Sequence, residues 1–179
     1  NFLKSDNVEL KHIINVFNSI ALSHNEIEFT FINNDEEIFY LKKESLKKRI
    51  ISIFGERIRE NLIPLSEETQ ISNLSGFILK PEFAKKSRSN QYLYVNNRFV
   101  KSQFINHSIF SSYEGLIKDG FYPGYFLFIE IDPSKIDVNV HPNKTEIKFD
   151  DDQNLYSIIN SAVKPVSYTH LRAHETDRY

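Results

Sequence analysis

Residues 125–131 read Tyr-Phe-Leu-Phe-Ile-Glu-Ile, a nearly continuous apolar run. A strand that is apolar at successive positions has no face to offer to water, so it belongs in the middle of a sheet. The rest of the chain has to be arranged around that strand. Asp132-Pro133 ends it with a turn, because proline fixes φ and donates no ladder hydrogen bond.

The preceding segments alternate between helical and strand periodicity. Ser5-Asp6, with Glu9 placed to close a capping box, precedes Leu10, Ile13, Ile14, Phe17 and Ala21 at helical spacing, which predicts a helix over 7–23. Ile27, Phe29 and Phe31 alternate as in a strand over 26–32. Asn33-Asn34-Asp35 supplies a turn, and 38–41 a short return strand. Leu46, Ile50 and Ile53 predict a second helix over 45–54, with Gly55 as its C-terminal cap. Residues 61–65 and 69–80 read as strands, 81–90 as a polar basic loop and 91–95 as a strand closed by the turn Asn96-Asn97. Ile105, Ile109, Tyr113 and Leu116 predict a helix over 103–118. A last helix begins at the acidic Asp150-Asp151-Asp152, with Leu155, Ile158, Ile159 and Val163 turned inward. The order α-ββ-α-ββ followed by β-α-β-β-α predicts an α+β fold, a two-layer arrangement of a sheet with helices on one face.

The 179 residues allow one large domain or two small ones. There is no cysteine, which excludes disulfides and thiolate metal sites. No apolar run approaches the ~18 residues of a membrane span. The chain begins without methionine and reads as an internal fragment. From about Val166 to Tyr179 the pattern changes and has little apolar periodicity; this tail is expected to be non-native or disordered and without function. His170 and His174 sit four apart within it, but no third metal ligand accompanies them.

The net charge is only −2, so the global balance does not point to nucleic acid. The distribution is more informative. Between Phe83 and Tyr113 there is no acidic residue, while Lys85, Lys86, Arg88, Arg98 and Lys101 all fall there. Such a stretch is either a polyanion-binding surface or a solvated loop. Several catalytic signatures are missing. With 5 glycines the chain has no Gly-rich phosphate loop and no dinucleotide fingerprint. It has no nucleophile elbow. No residue is assigned a catalytic or metal-binding role within it.

One string stands out, Asp137-Val-Asn-Val-His-Pro-Asn-Lys-Thr-Glu-Ile-Lys-Phe149. It predicts a strand through Val138 and Val140, a break at His141-Pro142, and a second strand over Thr145 to Phe149. Lys144 sits just past the break, where an ammonium with three donors can reach outward.

Three further pieces accompany its two halves, Asp137–Lys144 and Glu146-Ile-Lys-Phe149: Gln91-Tyr-Leu-Tyr-Val-Asn-Asn-Arg98, Asn106-His107 and Phe126-Leu-Phe-Ile-Glu-Ile-Asp-Pro133. In this order, over about sixty residues, they closely resemble the second half of the ATPase region of the MutL family of DNA mismatch-repair proteins. Asn-Val-His-Pro-x-Lys is the most specific piece. Phe2-Leu-Lys-Ser5 resembles the end of that family's ATP lid, so the resemblance spans about residues 1–164.

The resemblance implies a division into the end of the ATP lid with its connecting helix (1–24), a transducer domain (25–164) and the tail (165–179). It implies a transducer of the ribosomal protein S-five domain-2-like type, with a left-handed β-α-β crossover. Lys144 would contact the γ-phosphate of ATP. The nucleotide pocket and the Mg²⁺ ligands would lie outside this chain, so the parent would be a GHKL-type ATP hydrolase and the fragment alone inactive. The implied partners are DNA, a second copy in an ATP-dependent dimer and a mismatch-recognition protein, in the bacterial cytoplasm at the nucleoid and without a membrane. Arg98, Lys101, Lys85, Lys86 and Arg88 would contribute to a DNA groove. Gln103 stands where relatives often carry a basic residue, which weakens the groove there. Asn97 replaces the usual glycine of a turn and can adopt the same left-handed backbone; Asn143 replaces a small residue. Two other readings are a stand-alone single-stranded nucleic-acid module and the transducer of another GHKL enzyme such as a type II topoisomerase. Tyr92 and Tyr94 could serve as stacking platforms, but their alternation fits core residues better.

Overall fold

The computed structural model describes residues 5–140, 142 and 145–176, with side chains described through residue 168. The chain divides into two compact units, Asn1–Glu60 and Asn61–Tyr179.

The first unit contains α1 (Asp6–Ser23), β1 (Phe29–Asn33), β2 (Glu36–Leu41) and α2 (Leu46–Phe54). The β1–β2 hairpin closes through Asn34 and Asp35 at φ 49° and 63°, the left-handed geometry that short polar residues tolerate. Phe17 of α1 packs on the hairpin, with ring centroids 5.9 Å from Phe29, 5.1 Å from Phe31 and 5.6 Å from Phe39. The expected capping box is not formed. The Ser5 side chain makes no cap hydrogen bond, and Val8 and Glu9 donate to its carbonyl instead. Ile13, expected inward, is exposed together with Val16 and Ile20.

Arg49 is the centre of this unit and is fully buried. Nη1 donates to the carbonyls of Ala21 (2.8 Å) and His24 (3.4 Å). Nη2 donates to those of Asn25 (3.2 Å), Ile27 (2.7 Å) and Lys42 (2.7 Å). Nε reaches Glu44 at 3.3 Å. A buried charge is tolerated only when paired and saturated with hydrogen bonds. The planar fork of arginine does this while joining the end of α1, the approach to β1 and the end of β2 to α2.

The second unit contains β3 (Leu62–Glu68), β4 (Ser72–Leu79), β5 (Gln91–Val95), β6 (Arg98–Phe99), α3 (Gln103–Ser111), β7 (Tyr125–Ile131), β8 (Ile136–Asp137), β9 (Lys148–Phe149) and α4 (Asp152–Thr176). The main sheet has the order β3-β4-β7-β5-β6, so the apolar run 125–131 is its middle strand. β4 pairs with β7 antiparallel and β5 pairs with β7 parallel. The β5-α3-β7 connection is therefore a crossover. Gly76 is required where β4 meets β7: a Cβ there would stand 2.0 Å from the Phe126 carbonyl oxygen, and its φ is 124°.

α3 and α4 pack on one face of this sheet. Ile105 and Ile109 of α3, and Leu155, Ile159 and Val163 of α4, meet Leu93, Val95, Leu127 and Ile129 in a single core. Each such side chain contributes roughly 1.5–3 kcal/mol on burial. The opposite face carries aromatic stacks, Tyr92 on Phe126 at 5.6 Å and Tyr94 on Phe128 at 4.6 Å. Tyr92 and Tyr94 are buried, which fits them as core residues and leaves no ring face for a base.

Two helices end elsewhere than the sequence predicts. α3 ends at Ser111 instead of running to 118. Ser111 and Ser112 direct their hydroxyls to the Ser108 carbonyl, and Gly115 turns the chain at φ 77°. α4 passes through Pro165 to Thr176, across the position where the tail was expected to begin. Val166 packs against the core and Ser167 is buried, donating to the Ser112 carbonyl at 3.2 Å.

Candidate nucleic-acid interface

The corner that carries the singled-out lysine is built from shorter strands than its alternation suggests. β8 and β9 pair only Ile136 with Phe149 and Asp137 with Lys148. Asp137 ends β8 by accepting a hydrogen bond from the Asn139 backbone N–H at 2.9 Å, which bends the chain locally. Val138 and Val140 therefore lie outside the ladder, and Val140 is exposed. Lys144, with His141 and Asn143, lies outside the described residues. Its neighbour Thr145 is anchored: the Lys101 backbone N–H donates to the Thr145 carbonyl at 2.7 Å. That bond joins the lysine corner to the basic stretch.

The five basic candidates fall in three places. Lys85, Lys86 and Arg88 lie in the loop between β4 and β5, all exposed. Lys85 exchanges backbone hydrogen bonds with Tyr122, at 3.1 and 2.7 Å. Lys85 stands 5.7 Å over Phe83 and Lys86 5.9 Å over Phe121, near the limit of cation–π attraction. Arg88 sits closer, 4.5 Å over the ring of Tyr122. Arg98 follows the Asn96-Asn97 turn, whose φ angles of 49° and 64° keep the hairpin tight without glycine. Because β6 runs back along β5, Arg98 pairs with Val95 at one end of the sheet, while Lys101 emerges near the other, roughly 10 Å on.

Only Arg88 and Lys101 line a common groove. It consists of two adjoining hollows, of about 330 and 410 Å³, that share Arg88, Gln91, Gln103 and Asn106. The first adds His107, Phe110 and Tyr122; the second adds Lys101, Tyr125 and Glu146 among others. Ser102 caps α3 at the groove's edge, its Oγ accepting from the Ile105 N–H at 3.2 Å. The Tyr125 hydroxyl donates to Asn106 Oδ1. Burial pushes the Tyr125 phenol well above its ordinary pKa, and the nearby Arg88 charge offsets this in part. His107 is fixed by a 3.0 Å hydrogen bond between Nδ1 and the Tyr156 hydroxyl. Asn160 ties α4 to Ser108, Ser111 and Ser112, so the position of α3 is set by a polar seam as well as by the core.

A third hollow, of about 550 Å³, lies at the opposite end of the sheet and includes Asn96, Asn97, Glu130 and Asp132 in its lining. Its carboxylates make it a poor phosphate site, and none of the sequence candidates lines it. Among the described residues no three His, Asp or Glu side chains come together as metal ligands. No described helix is long and apolar enough to cross a membrane.

A family model described as DNA mismatch repair protein, C-terminal domain, matches residues 50–167. The DNA mismatch repair protein MutL of Christiangramia forsetii is 52% identical over 164 residues, and MutL of Porphyromonas gingivalis strain W83 is 38% identical over 163. This chain belongs to the MutL family of DNA mismatch-repair proteins. The matches cover 92% and 91% of the chain but only 27% and 26% of those relatives, so it corresponds to about a quarter of a MutL. Among solved structures, the N-terminal domain of a DNA repair protein superposes with a TM-score of 0.77 at 20% identity, covering 93% of this chain and 55% of that one. The Aquifex aeolicus MutL ATPase domain carrying a K252N mutation superposes with a TM-score of 0.61 at 20% identity, covering 90% and 54%. The fold is that of the transducer part of MutL-type ATPase domains.

Within this MutL segment, sequence reasoning reached Arg88 and Lys101 but gave no role to Gln91, Asn106, Phe110, Tyr122 or Tyr125. Asn106-His107 was visible as a motif. Its place in a groove depends on the crossover that brings α3 beside the start of β5.

Proposed function

We propose that this chain is the transducer half of a MutL ATPase region, and that it couples the nucleotide bound by the rest of the protein to a DNA groove. The observation that carries the reading is the 2.7 Å hydrogen bond from Lys101 to Thr145. It ties the backbone of Thr145, next to Lys144 in sequence, to the backbone of the groove-lining Lys101.

Lys144 would meet the γ-phosphate of ATP, a contact that ADP cannot offer. The exposed flanks of its corner, Asn139, Val140 and Pro142, suit a residue that reaches into a pocket built elsewhere in the parent. Mg²⁺ would be held elsewhere in the parent. A ligand can shift a conformational balance only through differential contact with the two states, which is what a γ-phosphate lysine supplies. The parent would then close into an ATP-dependent dimer and work with a mismatch-recognition protein. Arg88 and Lys101 would contact DNA phosphates, with Lys85, Lys86 and Arg98 extending the positive surface on either side. Residues 1–24 would be the end of the ATP lid with its connecting helix, and residues 25–164 would form the transducer.

The test is Lys144→Ala in the complete protein, followed by ATP turnover and ATP-dependent dimerisation. Both should fall while the circular dichroism spectrum stays unchanged. Unchanged turnover at saturating ATP, together with unchanged dimerisation, would refute the reading.

A further inference from the structure

We propose that the groove along α3 holds one unpaired nucleobase, stacked on Phe110 beside the Arg88–Tyr122 pair, with Arg88 and Lys101 on the flanking phosphates. The inference rests on the DNA reading above and specifies the form of nucleic acid that the groove takes.

α3 has two unlike faces. Ile105, Ser108 and Ile109 are buried, whereas Gln103, Asn106, His107 and Phe110 recur at helical spacing on the groove side. This second stripe carries amide and imidazole groups and ends in an aromatic ring. Phe110 is 42% exposed. A single exposed apolar residue is ordinary and needs no explanation by itself. Its surroundings distinguish this one. Its ring centroid lies 6.3 Å from that of Tyr122, and Tyr122 is covered by the Arg88 guanidinium at 4.5 Å. Aromatic rings and guanidinium planes are the surfaces on which splayed bases stack. The hollow, about 330 Å³, is at the small end of the range for ligand sites and can admit one base.

The polar groups complete the site. Gln91 Nε2 donates to the Pro123 carbonyl, which leaves its Oε1 as an acceptor. Asn106 Oδ1 is taken by Tyr125, which leaves its amide N–H groups as donors. A base edge needs both kinds of partner. Glu146 lines the adjoining hollow together with Lys101, so that hollow carries both signs of charge. A base inside a duplex has both faces stacked and cannot present one to Phe110, so the occupant is a single strand.

The experiment uses the complete protein and three probes of equal length: an oligothymidylate, an abasic strand of the same charge, and a duplex. Phe110→Leu keeps an apolar side chain but removes the π-face. It should weaken oligothymidylate binding about ten-fold and leave the abasic strand unchanged. Phe110→Tyr should restore binding. A 2-aminopurine placed in the strand should be quenched on binding by the wild type and not by Phe110→Leu. An equal loss on both strands, or no loss on either, would overturn the stacking site. Lys101→Glu reads the phosphate contacts separately and should weaken all three probes alike. A Lys101→Glu protein that bound every probe normally would overturn the groove itself, whatever Phe110→Leu did.

Discussion

The Lys101 backbone N–H donates to the Thr145 carbonyl at 2.7 Å, so one bond holds the basic stretch against the corner that precedes β9. These two segments are more than forty residues apart in sequence. Their contact joins the backbone of the segment before β9 to the backbone of a residue that lines the polar groove.

The groove should be electrostatic in its contribution to affinity. Lys101→Glu and Arg88→Glu should each lower DNA affinity and reduce the slope of log K against log salt by about one, as expected when one phosphate contact is lost. Arg98→Glu should have the smaller effect, because Arg98 lies at the other end of β6. Salt titrations of binding to one duplex and one single strand would check this; an unaltered slope for both Lys101→Glu and Arg88→Glu would remove them from the interface.

Arg49 should be among the most sensitive positions for stability. Arg49→Ala removes the cation paired with Glu44 and takes the arginine donor from the carbonyls of Ala21, Ile27 and Lys42, while those of His24 and Asn25 keep the backbone N–H groups of Ile27 and Glu44. The expected cost is about 3–5 kcal/mol. Arg49→Lys should also be costly, since an ammonium cannot reproduce the fork. Urea denaturation gives the values, and a loss of less than ~1 kcal/mol for Arg49→Ala would show the clamp to be dispensable.

At Gly76 the expected loss is also large. A methyl group at this position would collide with the Phe126 carbonyl and would be strained at φ 124°. Gly76→Ala should lose on the order of 3 kcal/mol, read as a lower urea midpoint with the slope preserved.

Alkaline pH should unfold the protein cooperatively. Burial raises the phenol pKa of Tyr94, Tyr113 and Tyr125 in the folded state. Above the ordinary tyrosine value of about 10, the unfolded chain releases protons that the folded chain retains, so stability falls as pH rises. Below that value the contribution is constant. Phenolate absorbance should therefore show tyrosines that ionise only as the fold is lost, and reversible ionisation of all of them in the folded protein would contradict the burial.

Much of this architecture could be read from periodicity. The apolar run 125–131 identified the middle strand, and Asn34, Asp35, Asn96 and Asn97 marked both tight hairpins by their tolerance of left-handed backbone. Local pattern failed where a side chain competed with the backbone. Asp137 cut short the strand expected through Val140, and the serines of α3 ended that helix early. Arg49 reads as a polar helix position, because nothing local signals that five carbonyls will converge on it. The groove was only half legible for a similar reason. Charge pointed to Arg88 and Lys101, but Gln91, Asn106 and Phe110 become neighbours only through the parallel pairing of β5 with β7.

The most direct test of the account is the affinity of the complete protein for ATP and for ADP, compared between wild type and Lys144→Ala. If Lys144 recognises the γ-phosphate, the substitution weakens ATP binding and leaves ADP binding unchanged, so the preference for ATP shrinks. If both affinities fall equally, or neither changes, Lys144 does not report the γ-phosphate and the corner does not couple nucleotide state to the groove.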